Sequence, residues 1–169
     1  LVFTGSGPEA SILGMNKLKS IKLFAANGLE VPKFIVFGQE EWLKNTQGII
    51  KKIEKEIGLP AVVKPVSRGS SIGVTIAKEQ KFLAQAINES FKADKDAMVQ
   101  KYIRGREFAC GVLEDKKDGA FPLLPTEIKP KEKEFFDYHS KYVAGATEEI
   151  TPPDLPKKTI KLIQKTTLL

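Results

Sequence analysis

One cysteine, one histidine and one tryptophan occur in the 169 residues, and these scarcities set the first limits. A lone cysteine, Cys110, cannot close an intramolecular disulfide, which excludes a disulfide framework and fits a reducing compartment. Its apolar, strand-like neighbours predict a core residue. His139 has no second histidine to work with, and as a single imidazole it reads as a surface or satisfied side chain rather than a catalyst. No run approaches the roughly 18 consecutive apolar residues of a membrane span, and no signal peptide is visible, so nothing supports export or insertion and the cytoplasm is the default. Long blocks of one charge are missing too. The 27 Lys+Arg and 21 Asp+Glu that give a net +6 are interleaved, as in KKIEKEIG at 51–58, which is the pattern of a solvated helix face and argues against a nucleic-acid surface. A basic balance also suits a small polyanion such as a nucleotide.

What is present is 41% hydrophobic content, enough for one or two small cores. Leu1 to Thr4 reads as a strand end, followed by a Gly/Pro turn and the segment Glu9–Met15. A helix is predicted from Asn16 with Leu18, Ile21 and Ala25 on one face and Gly28 as its stop. Lys33–Phe37 reads as a strand covered on both faces. Gln39–Ile57 reads as two helical pieces parted near Gly48, the second carrying Ile49, Ile53 and Ile57 at four-residue spacing. Ala61–Val63 and Ile72–Ile76 read as a hairpin, and Lys78–Phe91 as a helix with an apolar stripe of Phe82, Leu83, Ala86 and Ile87. Ala97–Ile103 and Glu107–Leu113 are predicted strands, Asp115–Gly119 a hairpin turn, and Leu123–Ile128 the return strand. Prolines at 152, 153 and 156 precede a last helix with Ile160, Ile163 and Thr167 on one side.

The stretch AVVKPVSRGSSIGV at 61–74 concentrates the chemistry. Lys64 ends a β-branched run, where an unpaired ammonium is costly. The following loop supplies a guanidinium, three hydroxyls and flexible backbone N–H groups able to converge on an anion. Two readings stand: a phosphate clamp, or a buried lysine satisfied by a carboxylate and followed by an ordinary turn. The loop fits neither the P-loop spacing nor G-x-G-x-x-G. Lys101 is a second ammonium in an apolar strand, and together with Lys64 it is expected to bracket a phosphate chain. Lys17, in a helix first turn where a cation opposes the dipole, is either indifferent surface or reaches an anion. Glu107 either accepts from a sugar diol or pairs with Arg104 or Arg106. Met98 and Ile103 offer an apolar slot for a flat base. The aromatic stretch 135–142 is a packed loop or a lid.

Five motifs, TGSG at 4–7, MNK at 15–17, VVKPVSRGSSIGV at 62–74, QKYIRGREF at 100–108 and FFDYHSKY at 135–142, resemble in order and spacing the D-alanine:D-alanine ligases of the ATP-grasp superfamily. The resemblance spans nearly the whole chain. It implies an α+β, ATP-grasp fold, with residues 1–16 ending a preceding domain, 17–106 a central subdomain with a mixed or antiparallel sheet, and 107–169 a truncated C-terminal subdomain whose lid loop is 131–151. It implies ATP contacts for Lys17, Lys64 and Lys101, with Ser70 and Ser71 on the loop. Ile103 matches the residue whose backbone N–H meets the adenine ring, and Glu107 the carboxylate on the ribose hydroxyls. Lys141 matches a lid lysine near the phosphates. Ser70 and Tyr142 match residues that join across the site when the lid closes, so Ser70, Tyr142 and Lys141 are the expected catalytic set. Gln100 stands where the family usually has a glutamate at the adenine amino group, and His139 where many relatives have an acid. Tyr142 favours amide formation over a depsipeptide with D-lactate.

The implied reaction is phosphorylation of one D-alanine carboxylate by ATP, then attack by the amine of a second, toward a peptidoglycan precursor. The expected partners are ATP, Mg²⁺ and D-alanine, in a homodimer, with no nucleic acid or membrane. No metal ligand is expected within 1–169. Both ends look cut, with the Mg²⁺ ligands and an arginine expected beyond Leu169 and most D-alanine contacts before Leu1, so the isolated chain is expected not to turn over. Another ATP-grasp carboxylate–amine ligase and a non-catalytic nucleotide-binding module are the alternatives.

Overall fold

Short alternating segments of apolar residues build an antiparallel sheet whose strand order is β1-β4-β2-β3, from β1 (Phe34–Gly38), β2 (Ala61–Pro65), β3 (Thr75–Ala77) and β4 (Asp96–Lys101). The computed structural model describes residues 3–117, 119–131 and 141–169, which divide into two compact units, Leu1–Ile103 and Arg104–Leu169. Residues facing each other across an antiparallel pair share a face. The register Val63↔Val99 and Ala61↔Lys101, continued by Ile35↔Val99 and Phe37↔Ala97, therefore makes one apolar face. It is covered by α3 (Gln39–Lys44), α4 (Thr46–Glu56) and α5 (Leu83–Phe91), whose Trp42, Ile49, Ile50, Ile53, Leu83, Ala86 and Ile87 join Ile35, Phe37, Val63 and Val99 in one buried cluster. Each Val, Leu, Ile or Phe among them contributes about 1.5–3 kcal/mol of burial.

The opposite face carries Phe34, Val36, Val62, Lys64, Met98 and Gln100, by the pairings Lys64↔Met98, Val62↔Gln100 and Val36↔Met98. Its apolar half packs on Ile21 and Leu18 of α2 (Lys17–Ala26), together with Val31 and Val66. Asn16 caps α2 by accepting from the Lys19 N–H at 3.0 Å. A short helix, α1 (Pro8–Met15), precedes it and buries none of its residues.

Several boundaries differ from the sequence reading, each for a local reason. The break between α3 and α4 falls at Asn45, not Gly48, because the Asn45 side chain accepts from the Gly48 N–H at 3.1 Å and so opens a new helix. Gly48 suits that cap, since a Cβ there would lie 2.4 Å from the Asn45 amide. Asn45→Ala is expected to lower stability by about 1 kcal/mol, read from the urea midpoint, with Asn45→Asp retaining most of it. The strand expected over 72–76 shrinks to β3, because turn hydrogen bonds from Ile72 to Gly69 and from Val74 to Ser71 occupy the backbone before it. Gln80–Phe82 forms a 3₁₀ turn ahead of α5, which turns Phe82 out to 42% exposure while Leu83, Ala86 and Ile87 stay buried.

In the second unit, β5 (Glu107–Ala109), β8 (Thr126–Pro130) and β9 (Thr147–Ile150) form a sheet centred on β8, and β6 (Val112–Asp115) pairs with β7 (Gly119–Pro122). The single strand expected over 107–113 is thus interrupted at Cys110–Gly111, where the Leu123 N–H donates to the Gly111 carbonyl. Cys110 is half-buried with its Sγ 3.5 Å from the Leu123 carbonyl, at that kink rather than in a core. The last helix, α6 (Lys157–Thr167), follows the prolines as expected and turns Ile160, Ile163 and Thr167 to its half-buried side. Among the described residues no helix is long and apolar enough to cross a membrane.

Candidate functional site

The first unit holds a cavity of about 430 Å³ between α2 and the second face of the sheet, lined by Lys17, Ser20, Ile21 and Phe24 of α2, Glu30, Val31 and Pro32 after it, and Lys64, Met98 and Gln100 of the sheet. Its walls are mostly apolar, and two ammonium groups, an amide, the Ser20 hydroxyl and the Glu30 carboxylate provide its polar side. Lys64 donates to Gln100 Oε1 at 2.6 Å, a cross-strand neighbour that β-pairing sets on the same face. Among the described residues Lys64 is partnered by this amide and by no carboxylate. Burial, and then the charge of Lys17, hold the Lys64 ammonium down at about 8 against an ordinary 10.5. That difference corresponds to a penalty on the order of 3 kcal/mol for keeping the group charged, which an anion in the cavity would relieve.

Lys101 lies elsewhere. Its partner across the sheet is Ala61, on the helix-covered face, and its Nζ lies 3.5 Å from where a Cβ on Gly58 would stand. Lys64 and Lys101 therefore project to opposite faces, and the expected phosphate bracket between them does not form; Lys17 is the cation that shares the cavity with Lys64. Lys17 also ties α2 to the Gly/Ser loop, its ammonium donating to the Arg68 carbonyl and its backbone N–H to the Val66 carbonyl at 2.9 Å.

The loop tip has a defined shape. Ser70 (φ 51), Ser71 (φ 58) and Gly73 (φ 69) are left-handed, a conformation costly for the serines and of the kind that surrounding structure must hold in place. Anchors are present at its base, where the Ser67 N–H donates to Asp94 Oδ2 at 2.6 Å and the Arg68 guanidinium donates to the Ala93 carbonyl. At Gly73 glycine takes the left-handed φ at least cost, and a Cβ would crowd the Pro65 ring at 3.3 Å. The role of Asp94 depends on a contact 27 residues away.

Met98 is fully buried on the Lys64 face, whereas Ile103 is 65% exposed at the end of the first unit. In the second unit Glu107 opens β5, is exposed, and has no side-chain partner among the described residues. The alternative pairing with Arg106 does not form, because Arg106 makes a two-pronged contact with Glu127 (Nε–Oε1 and Nη2–Oε2, both 2.6 Å) and donates to the Asp154 carbonyl. The hydrogen bonds between the two side chains are the leading cause that raises the Arg106 pKa and holds the Glu127 carboxyl below its ordinary range. No signal in the sequence pointed to this pair. Lys141 and Tyr142 are described and engaged with neighbours, while Phe135 to Ser140, with His139, lie outside the described residues. Among the described residues no cluster of three or more His, Cys, Asp or Glu could hold a metal.

Comparison with known proteins gives a consistent answer. The profile of the family described as "D-ala D-ala ligase C-terminus" matches residues 23–169. A D-alanine–D-alanine ligase of Geobacter sulfurreducens is 38% identical over 154 residues, 91% of this chain and 45% of the relative; one of Geobacillus kaustophilus is 37% identical over 163 residues, 96% of this chain and 44% of the relative. The chain thus spans about half the length of the curated relatives it matches. Among solved structures, VanG D-Ala:D-Ser ligase of Enterococcus faecalis superposes with a TM-score of 0.79 at 31% identity, over 94% of this chain and 44% of that one. D-alanyl-alanine synthetase A of Vibrio cholerae gives 0.78 at 25% identity, over 98% of this chain and 49% of that one. The α+β, ATP-grasp fold expected from the motifs is the fold observed. With 147 consecutive positions under one family profile and ligase folds on both sides of the comparison, the chain belongs to the D-ala D-ala ligase C-terminus family.

Proposed function

We propose that this chain is the nucleotide-gripping part of an ATP-dependent ligase that joins two D-alanines into D-alanyl-D-alanine for peptidoglycan precursors. The observation that carries the reading is the cavity on which Lys17 and Lys64 converge, with no carboxylate paired to Lys64 among the described residues, directly beside the loop that Lys17 holds. A carboxylate oxygen of the first D-alanine attacks the γ-phosphorus of ATP, the bond to ADP breaks, and an acyl phosphate results. The amine of the second D-alanine then attacks the acyl carbon, and phosphate and a proton leave. Such transfer needs positioned positive charge more than covalent help; here Lys17 and Lys64 supply it, with backbone N–H groups of the Ser70–Ser71 loop.

The remaining assignments rest on the resemblance: Gln100 and the Ile103 N–H at the base, Glu107 at the ribose, Lys141 at the phosphates, and Ser70 with Tyr142 joining over a closed lid that keeps water from the acyl phosphate. Lys101 belongs to this set only through the resemblance, since its side chain is on the far face. Residues 17–106 are assigned to the central subdomain and 107–169 to the C-terminal one, after the edge of a preceding domain at 1–16. Mg²⁺ enters through the family, and the described residues do not fit it, so no step here is routed through the metal. A cytoplasmic homodimer is part of the same reading.

In the intact protein, phosphate release from ATP is expected to require D-alanine and to yield D-alanyl-D-alanine by mass. Release without D-alanine, or no release beside measurable ATP binding, would overturn the reading, the latter in favour of a non-catalytic module. The likeness to a D-Ala:D-Ser ligase at 31% identity supports a second reading in which D-serine is the second substrate. Adding D-serine to the same assay separates the two by which dipeptide dominates.

A further inference from the structure

The surroundings of Lys64 suit it to act through its nitrogen as well as through its charge. The side chain is half-buried and lines the 430 Å³ cavity beside apolar Ile21, Phe24, Val31 and Met98. Its partner among the described residues is a neutral amide, Gln100 Oε1 at 2.6 Å, and no carboxylate. A carboxylate would hold the proton on the amine, whereas an amide, an apolar wall and a second cation let it go. Lys17 is that second cation, and Glu30, the one acid among the lining residues, is exposed at the rim. With burial and Lys17 bringing Lys64 down to about 8, about a quarter of it is neutral amine at about pH 7.5, against about a thousandth of an ordinary lysine.

An amine of this kind is the nucleophile that captures carbonyl compounds. We propose that Lys64 forms a reversible imine with small aldehydes that carry a phosphate, so that the cavity is a covalent site for phospho-aldehydes. The Nζ lone pair attacks the carbonyl carbon, a proton passes from nitrogen to the former carbonyl oxygen, and that oxygen leaves as water. A C=N bond replaces C=O, and no oxidant or reductant takes part. The protonated imine keeps one N–H, and Gln100 Oε1, already 2.6 Å from Nζ, is placed to accept it. The phosphate offsets both this cation and Lys17; an uncharged aldehyde would leave two positive groups together between apolar walls. The cavity volume is within the range of small-molecule sites. The imine stands on the amine and the cavity, and only its competition with ATP rests on the nucleotide reading.

The test treats the intact protein with pyridoxal 5′-phosphate or with 5-deoxypyridoxal, which lacks the phosphate, followed by borohydride reduction and peptide mass mapping. Lys64 is expected to be labelled at concentrations about tenfold below those that label other lysines, and 5-deoxypyridoxal to need about tenfold more than the phosphate-bearing probe. Labelling of another lysine ahead of Lys64, or spread evenly over the exposed lysines, overturns the inference. Equal labelling by the two aldehydes overturns it as well, since the phosphate would then contribute nothing. The map of the unaltered protein decides without any variant. In a displacement titration against a ribose-labelled fluorescent ATP analogue, the reduced adduct is expected to bind ATP about a hundredfold more weakly. Label on Lys64 with ATP binding intact supports the imine site and removes the nucleotide from this cavity.

Discussion

Lys64→Met is expected to weaken nucleoside triphosphate binding by about a hundredfold, measured by the same displacement titration, with the thermal transition unchanged or raised. A charge-assisted contact to phosphate from a partly desolvated ammonium accounts for about 2–4 kcal/mol of binding, and methionine keeps the unbranched shape that fits beside Met98. Stability should not suffer, because the folded state holds this ammonium at a penalty, with its pKa lowered to about 8 by burial and by Lys17. The unfolded chain therefore binds more protons than the folded one between about pH 8 and 10.5, so the Lys64 penalty is full below pH 8 and fades as pH rises through that window. Binding carries the opposite dependence. A phosphate beside Lys64 restores its proton, so affinity should fall by up to tenfold per pH unit above about 8, with proton uptake on binding seen as a buffer-dependent heat. Lys64→Met should flatten that slope, and a slope that survives the substitution would assign it to another group.

Lys64 was legible because a strand of β-branched residues has no use for a cation, and the same signal marked Lys101. What the sequence could not carry was the face. Alternation fixes which residues share a side within one strand, but relating two strands takes their pairing register, and a shift of one residue would have exchanged the faces. With Ala61 opposite Lys101 and Met98 opposite Lys64, one lysine enters the cavity and the other does not. Lys17, read as surface or anion-reaching, turned out to face Lys64 because α2 is pinned to the loop through the Val66 carbonyl.

The order of strands and helices and the two-faced character of β1 were readable from apolar spacing, since burial on both sides forces every residue of a short strand to be hydrophobic. Breaks were read less well. Glycine at 48 looked like a helix end, but the side chain of Asn45 caps a helix there, its amide lying 2.4 Å from where a Cβ at 48 would stand. The run at 107–113 looked continuous, and the kink at Gly111 is set by Leu123, whose Cδ1 would be 3.3 Å from a Cβ there. Contacts between distant residues, Arg106 with Glu127 and Ser67 with Asp94, have no local pattern to announce them.

Ile53→Ala is expected to separate the scaffold from the grip. Ile53 is 0% exposed and lies in the core cluster on the sheet face opposite the cavity, so its truncation leaves a void that its neighbours fill only in part. The cost should be about 2–5 kcal/mol, lowering the transition of the 1–103 unit by ~10–20 °C as followed by circular dichroism. Well below that transition, nucleotide affinity should remain within about threefold, because Lys17, Lys64 and Gln100 sit across the sheet and their positions are fixed by backbone pairing and α2. If affinity fell with stability at low temperature, the two faces would be mechanically coupled, and the cavity's geometry would depend on the packing of α4 rather than on strand register.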